Sequence, residues 1–128
     1  MTSRRNTIQQ RAVRHTIDSV GRPLSLREIH SLAGKEVESL GYRTVSRIVS
    51  RMLADGDLAA VPMPGQPSRF ESATVAKTHH HHFRCESCDR VFDIDTCPGG
   101  LNDMLPPGFT LAGHEILLWG QCTDCSKE

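Results

Sequence analysis

The sequence lacks a long apolar run, an N-terminal signal segment and a net charge. No stretch approaches the ~18 consecutive apolar residues that a membrane span needs, and residues 1–11 lack the apolar stretch of a secretory signal. We therefore expect a soluble, cytoplasmic protein. At 128 residues the chain has room for one ordinary domain or two very small ones, and a second small core would need a metal or a partner to be stable.

The absence of net charge conceals an uneven distribution. Residues 1–72 carry 11 Lys and Arg against 7 Asp and Glu, whereas residues 73–128 carry 4 against 8. A basic first half suits a polyanionic partner such as nucleic acid, and the acidic second half, which is rich in histidine and cysteine, suits cations. In a protein of this size the alternative stays open that the difference has no functional meaning.

Apolar periodicity predicts three helices in the first half of the chain. The first spans residues 7–20 and is stopped by the Gly-Arg-Pro sequence at residues 21–23. Ser25 and Glu28 form a capping-box pattern that begins the second helix, and the third lies between Gly41 and the Asp-Gly-Asp sequence that follows it. The residues predicted to face inward are Ile8, Ala12, Val13, Ile17, Val20, Leu26, Ile29, Leu32, Val45, Ile48, Val49, Met52 and Leu53.

Two predicted strands, at residues 58–61 and 69–75, flank a turn rich in proline and glycine and would complete a winged helix-turn-helix. The outward face of the third helix carries residue types that reach base edges and phosphates from a major groove. Amphipathic helices with arginine on their surface also occur in proteins that bind no DNA. The DNA contacts that we predict are Arg43, Thr44, Ser46, Arg47 and Arg51 on the helix and Arg69 on the wing.

The second half is predicted to be a separate small domain. We place a DNA-binding domain at residues 1–75, a hinge at 76–78 and a metal-binding domain at 79–128. Strand-like segments at residues 79–85, 90–94 and 114–120 surround a short segment at 101–105 that is bounded by glycine and proline. The predicted fold class is α+β, with a winged helix-turn-helix domain followed by a small α/β domain.

All five cysteines lie in the second half, and four of them form two C-x-x-C pairs. In a reducing compartment such pairs are typical of metal or redox sites rather than of disulfides. Two pairs can place four thiolates tetrahedrally, which is the arrangement of a closed structural zinc site. A redox pair is the alternative, but no thioredoxin-like sequence surrounds either one. We therefore predict structural zinc at Cys85, Cys88, Cys122 and Cys125.

Four consecutive histidines occupy residues 79–82. Side chains alternate in an extended segment, so His79 and His81 would face one way while His80 and His82 face the other. One strand can therefore supply two different metal sites, and imidazole ligands favour zinc, iron, nickel or copper over magnesium or calcium. A solvated run without ligand function is the alternative.

The chain resembles the ferric uptake regulator superfamily of bacterial metalloregulators along almost its whole length. The stretches that carry the resemblance are GYRTVSRIVSRML, SRFES, HHHHFRCESCDRVFDI and GHEILLWGQCTDC. The third stretch, together with the final C-x-x-C, is the most specific. The resemblance implies a homodimer that pairs through its C-terminal strands and closes onto a palindromic DNA operator when metal binds.

The resemblance also implies three sets of metal ligands. The four-cysteine zinc site falls on the cysteines already named. A hinge sensory site falls on Glu71, His80 and His82, with a further ligand from the N-terminal domain. A second sensory site, within the dimerisation domain, falls on His79, His81 and His114.

The sequence departs from the family pattern at several positions. The third helix reads TVSR where TVYR is usual, so an aromatic DNA contact is absent at Ser46. The N-terminal histidine of the hinge site aligns near Pro23, and His30 is either its replacement or a helix-packing residue. His81 stands where many members have aspartate, and the segment at residues 95–109 is shorter than a helix that normally carries an acidic ligand.

Cys97, the fifth cysteine, lies in this shortened segment. We hypothesise that it joins His79, His81 and His114, giving a site of three nitrogens and one sulfur that favours zinc over iron or manganese. Two alternatives remain. Cys97 is a small buried apolar residue, or Cys97-Pro98 is a haem-binding dipeptide like that of some relatives.

These features predict a metal-responsive transcriptional regulator without enzyme activity, a repressor of metal-uptake genes that uses zinc as co-repressor. The nearest alternative is an iron-, manganese- or peroxide-sensing regulator of the same superfamily. A small histidine-rich zinc hydrolase is an alternative of another class, but the sequence has no carboxylate at a motif spacing beside the histidine run to act as a general base. A metal-storage protein would leave the pattern of the third helix unexplained.

Overall fold

A computed structural model describes residues 4–126 of the chain, with side-chain burial from residue 8 onward. The chain divides into two compact units, Met1–Thr78 and His79–Glu128. Within the described residues, none of the helices combines the length and apolarity required to cross a membrane.

Three helices form the core of the first unit: α1 at Arg4–Val20, α2 at Leu26–Ala33 and α3 at Tyr42–Ala54. The buried stripe of α1 is shorter than predicted, since Ile8 and Val20 are 47% and 37% exposed and lie about one turn beyond its two ends. The other predicted inward residues are buried or packed against the core. The buried core consists of Ala12, Val13, Ile17, Leu24, Ile29, Ala33, Leu40, Val45, Ile48, Val49, Met52, Leu58 and Phe70.

The predicted capping box begins α2. The Glu28 backbone N–H donates to Ser25 Oγ, and the Ser25 backbone N–H donates to Glu28 Oε1, both at 3.1 Å. This exchange satisfies two backbone donors that the first turn of a helix leaves open. α3 begins after Gly41 without a side-chain cap, so its position depends on burial of its apolar face.

The wing is an antiparallel pair, β1 at Leu58–Met63 and β2 at Gln66–Ser72. The strand predicted at residues 69–75 is wrong at both ends. β2 begins earlier and stops at Ser72, whose side chain accepts the N–H of Val75 at 3.2 Å and starts a short helix, α4, at Ala73–Ala76. β1 is longer than predicted, since it continues through Pro62 to Met63. The ladder accommodates Pro62, which has no N–H to pair, because the register shifts between Val61 and Met63.

The second unit is built around a three-stranded sheet of order β4-β3-β5. β3 at His81–Cys85 pairs antiparallel with β4 at Val91–Ile94 and parallel with β5 at Leu117–Gly120. The strands are shorter than predicted at their starts, and the segment at residues 101–105 contains a 3-10 helix at Leu101–Met104. A last helical turn, α5, covers Thr123–Ser126.

The buried residues of the second unit, within the part of the chain that the structure describes, are His81, Cys85 and Val91. A core of this size does not offset the conformational entropy of folding without an additional cross-link. The packing therefore agrees with the expectation that a second small core needs a metal or a partner to be stable. The α+β class, with a helical winged unit followed by a small sheet unit, is confirmed.

Candidate metal centres and nucleic-acid interface

The two C-x-x-C pairs meet at one end of the sheet. The Sγ atoms of Cys85, Cys88, Cys122 and Cys125 all lie within 4.8 Å of one another, and the Cys88 and Cys122 sulfurs are 3.8 Å apart. A zinc ion with Zn–S bonds of about 2.3 Å has sulfur atoms about 3.8 Å apart in a tetrahedron. The donor set and its spacing therefore fit a closed structural zinc site.

Backbone geometry brings the pairs together. Cys85 ends β3, and the following turn passes through Asp89, whose φ of 64° is unusual for a residue other than glycine. An ion pair with Arg84 at 2.8 Å holds Asp89 in place. The Glu86 backbone N–H donates to the Gly120 carbonyl at 2.8 Å, which brings the second pair beside the first.

Three of the four thiols have shifted pKa values. Backbone N–H groups of Cys88 and Cys122 donate to Cys85 Sγ, at 3.5 and 3.4 Å, and lower the pKa of Cys85 to about 6. Burial raises the pKa of Cys88, but hydrogen bonds from Arg90 outweigh it and the net shift is downward. Hydrogen bonds to Cys85 and Cys122 raise the pKa of Cys125 to about 12. Hydrogen bonding within the cluster therefore favours the thiolate form of Cys85 and the thiol form of Cys125.

A second cluster combines imidazole and thiol. His79, His81, Cys97 and His114 each offer one ligand atom, and these atoms lie within 4.8 Å of one another. Cys97 Sγ lies 3.4 Å from His81 Nε2 and 3.2 Å from His114 Nε2. Because Cys97 is exposed, the alternative that it is a small buried residue is wrong.

The geometry of this cluster suits a tetrahedral ion. Zn–N bonds of about 2.0–2.1 Å and a Zn–S bond of about 2.3 Å imply sulfur–nitrogen distances of about 3.5 Å, close to the two observed. Burial lowers the pKa of His81, and the neighbouring His79 and His114 lower it further, which favours the neutral imidazole whose lone pair a metal ion needs. Within the described residues, no carboxylate belongs to this cluster.

The other two histidines of the run face a carboxylate. Asp93 Oδ1 lies 3.5 Å from His80 Nε2 and 3.4 Å from His82 Nε2, and Asp93 is the cross-strand neighbour of His82. Sequence reasoning missed Asp93, because the register between β3 and β4 cannot be read from either strand alone. This group of two imidazoles and one carboxylate offers a mixed nitrogen and oxygen donor set.

Two residues considered for the hinge site lie in the first unit. Glu71 is on β2 and is 5% exposed; its assignment as a ligand remains a prediction from the resemblance. His30 bonds through Nε2 to the Leu40 carbonyl at 3.0 Å and lies edge-on to Tyr42 at 5.6 Å between ring centroids. His30 therefore packs the connection between α2 and α3, which is the second of the two roles considered for it.

The outer face of α3 carries the predicted DNA contacts. Arg43, Arg47 and Arg51 are exposed, and Thr44 and Ser46 are half-buried. Among the described residues, none of these three arginines takes part in an ion pair. The helix therefore presents guanidinium groups to the solvent along one face.

Arg69 lies elsewhere than the prediction assumed. Its side chain is buried, with the residue 3% exposed, and the guanidinium donates to the Pro67 carbonyl at 2.9 Å and to Gln66 Oε1 at 3.1 Å. These bonds hold the guanidinium against the start of β2. The expectation of an exposed wing arginine that contacts phosphate is corrected, and we assign Arg69 a role in shaping the wing.

The fold and the clusters define a class of protein, a metal-binding winged-helix protein with a small cysteine-rich second unit. Comparison with known families agrees, since the profile of the ferric uptake regulator family matches residues 1–116. The chain belongs to the ferric uptake regulator family.

The sequence identity between this chain and its individual relatives is low. The chain is 30% identical over 87 residues to the transcriptional regulator FurA of Mycobacterium tuberculosis, a match covering 66% of this chain and 58% of FurA. The chain thus spans less than two thirds of that relative's length. The Helicobacter pylori ferric uptake regulator, described as having three functional metal binding sites, aligns with a TM-score of 0.69 at 19% identity over 100% of this chain and 83% of that one. A zinc-bound manganese uptake regulator aligns with a TM-score of 0.74 at 20% identity over 89% of this chain and 87% of the other. At these identities the two structures show a shared fold.

Proposed function

We propose that this chain is a metal-responsive transcriptional regulator that binds double-stranded DNA as a homodimer and represses metal-uptake genes when zinc is bound. The observation that carries the proposal is the exposed Cys97 sulfur, which lies 3.2 Å from His114 Nε2 and 3.4 Å from His81 Nε2. Membership of the ferric uptake regulator family supports the regulatory role.

The donor set of this sensory site argues for zinc as the sensed metal. Sulfur and imidazole donors suit zinc, whereas iron(II) and manganese(II) sensors are served better by carboxylates. Cys97 supplies sulfur where an acidic ligand is expected from the resemblance, and His81 replaces a second carboxylate. The four-cysteine cluster holds a separate structural zinc, and the Helicobacter pylori relative, with its three functional sites, is a precedent for several metals in one chain.

The DNA interface of the proposal is the outer face of α3. Arg43, Arg47 and Arg51 contact the DNA, and Thr44 and Ser46 lie nearest the bases. In a homodimer the two copies of α3 reach successive major grooves of a palindromic operator when they are about 34 Å apart. The excess of basic residues in the first half of the chain favours association with the polyanion.

Exposed apolar side chains of the second unit support the homodimer. Leu118 and Trp119 on β5 are 52% and 64% exposed, and Met104 and Phe109 are 77% and 67% exposed. So many large exposed apolar side chains on so small a unit favour a partner that covers some of them. We propose that a second copy of the chain covers them.

The proposed mechanism is thermodynamic linkage. Glu71, His80 and His82, the hinge ligands taken from the resemblance, come from both sides of the predicted hinge. Bound metal supplies a cross-link between such ligands. A metal that binds one arrangement of the DNA-binding domains more tightly than the others shifts the population toward it, and DNA affinity then rises with metal occupancy.

The test is a metal titration of DNA binding. Protein that holds only its tightly bound zinc is titrated anaerobically with zinc, iron(II) or manganese(II), while binding to a promoter fragment from its own gene neighbourhood is followed. We expect zinc alone to restore tight binding at low free concentration. Restoration by iron(II) or manganese(II) but not by zinc would refute the zinc assignment, and binding that is the same with and without every metal would refute the regulatory mechanism.

A further inference from the structure

The Arg90 side chain lies against the four-cysteine cluster. Its Nε lies 3.1 Å from Cys88 Sγ and its Nη2 lies 4.0 Å from Cys122 Sγ, so one guanidinium spans a sulfur from each C-x-x-C pair. Neither the motif nor the predicted ligand set contains this residue. A cation between two ligands of a metal site is expected to affect how that site holds its metal.

Several contacts fix the guanidinium in this position. Its Cζ lies 5.9 Å from the centroid of the Phe92 ring, and Nη2 is 3.5 Å from Asp124 Oδ2. The Arg90 carbonyl also accepts the N–H of Cys85 at 2.9 Å. Backbone and side chain of one residue therefore hold β3, the turn and α5 around the sulfurs, and only 34% of the side chain is exposed.

The negative charge of a four-thiolate site explains what a guanidinium does at the position of Arg90. Four thiolates carry more negative charge than one zinc ion neutralises, and part of the cluster is shielded from water. A guanidinium that donates to thiolate sulfur disperses the excess charge and makes the sulfur a poorer proton acceptor and nucleophile. Zinc leaves such a site when a thiolate is protonated or is captured by a competitor. A thiolate that accepts a hydrogen bond from the guanidinium undergoes both reactions more slowly.

We infer that Arg90 is a positioning residue of the four-cysteine zinc site, whose guanidinium donates to the Cys88 and Cys122 thiolates, offsets their excess charge and slows the loss of zinc. The inference rests on the proposal that these four cysteines hold zinc. It assigns a role in retaining the metal to a residue that is not itself a ligand.

The experiment compares full-length wild type that holds only its tightly bound structural zinc with R90Q and R90K treated in the same way. The measured quantity is the rate at which zinc passes to an excess of a chromophoric chelator. We expect R90Q to lose zinc about tenfold faster, the loss of one partly screened charge-assisted hydrogen bond. R90K is expected to lie between the two, because an ammonium keeps the charge but lacks the planar fork that reaches two sulfurs. Arg11→Gln, which removes an exposed arginine from α1, is the matched control and should leave the rate unchanged.

A second readout separates this role from general stability. In protein whose four-cysteine site alone is loaded with cobalt(II), the sulfur-to-metal charge-transfer band should move to lower energy in R90Q, since a thiolate without its hydrogen bond is a better electron donor. An R90Q rate within about twofold of wild type, less than a charge-assisted hydrogen bond implies, or an unmoved band would overturn the inference. If R90Q does not fold, R90K decides, and a wild-type rate in that variant would overturn it. A wild-type chain that yields all its zinc at once would refute the zinc site itself.

Discussion

Replacing Cys97 with alanine should weaken zinc binding at the sensory site while leaving the four-cysteine site intact. A four-ligand structural zinc site has a binding free energy of roughly 10–16 kcal/mol, or about 2.5–4 kcal/mol for each ligand. Water can enter the vacated position, because Cys97 is exposed, and its bond to the zinc would recover part of the lost binding free energy. We therefore expect zinc affinity to fall by about tenfold to a hundredfold, which corresponds to about 1.4–2.7 kcal/mol.

The assay is a competition between the protein and a chromophoric zinc chelator, on protein whose four-cysteine site is already filled. Thr96→Ala changes the exposed neighbour and should have no effect, whereas His114→Ala should weaken binding as much as Cys97→Ala does. Cys97→Asp should shift the preference toward iron(II) or manganese(II), since a carboxylate is a harder donor. Cys97→Ala protein with wild-type zinc affinity and wild-type DNA binding would refute the assignment of Cys97 as a ligand.

Three further predictions concern the other site residues. Cys88→Ser should release the structural zinc and unfold the second unit, because a site worth roughly 10–16 kcal/mol dominates so small a core; normal zinc content and an unchanged melting curve would contradict this. Arg47→Ala should reduce the slope of log affinity against log salt by about one unit, whereas Arg69→Ala, which removes buried hydrogen bonds, should lower the melting temperature and leave that slope unchanged. Removal of zinc from the four-cysteine site by a chelator should unfold the second unit in the same way as Cys88→Ser, and metal-free protein that keeps a cooperative melting transition for this unit would oppose the assignment.

Features that depend on short-range patterns could be predicted from the sequence. The capping box at Ser25 and Glu28 and the apolar spacing of α3 are set by residues within a few positions of one another. The two C-x-x-C pairs predict one shared metal site, because four thiols at this spacing leave few alternatives to metal binding. In each case the deciding interaction is local, or its chemistry is specific.

Features that depend on which strands meet could not. The residues after Ser72 include β-branched side chains that favour a strand, yet the Ser72 side chain caps a helical turn there, and a weak propensity loses to one specific hydrogen bond. Burial of Arg69 follows from the position of Gln66 and Pro67 around its guanidinium. Asp93 joins His80 and His82 only because β3 and β4 pair in one particular register.

Because residues 79–82 are four identical histidines, adding one histidine to this tract and removing one have different effects. β3 is held in register by a strand on each side, so adding or removing one histidine must displace the chain upstream of the sheet. Losing one histidine brings a threonine into the place of His79, and the thiol-containing cluster loses an imidazole while the pair beside Asp93 stays complete. Gaining one leaves all four side chains in place and lengthens only the connection to the preceding unit. The tract therefore tolerates expansion but not contraction, and contraction disables one centre while leaving the other intact.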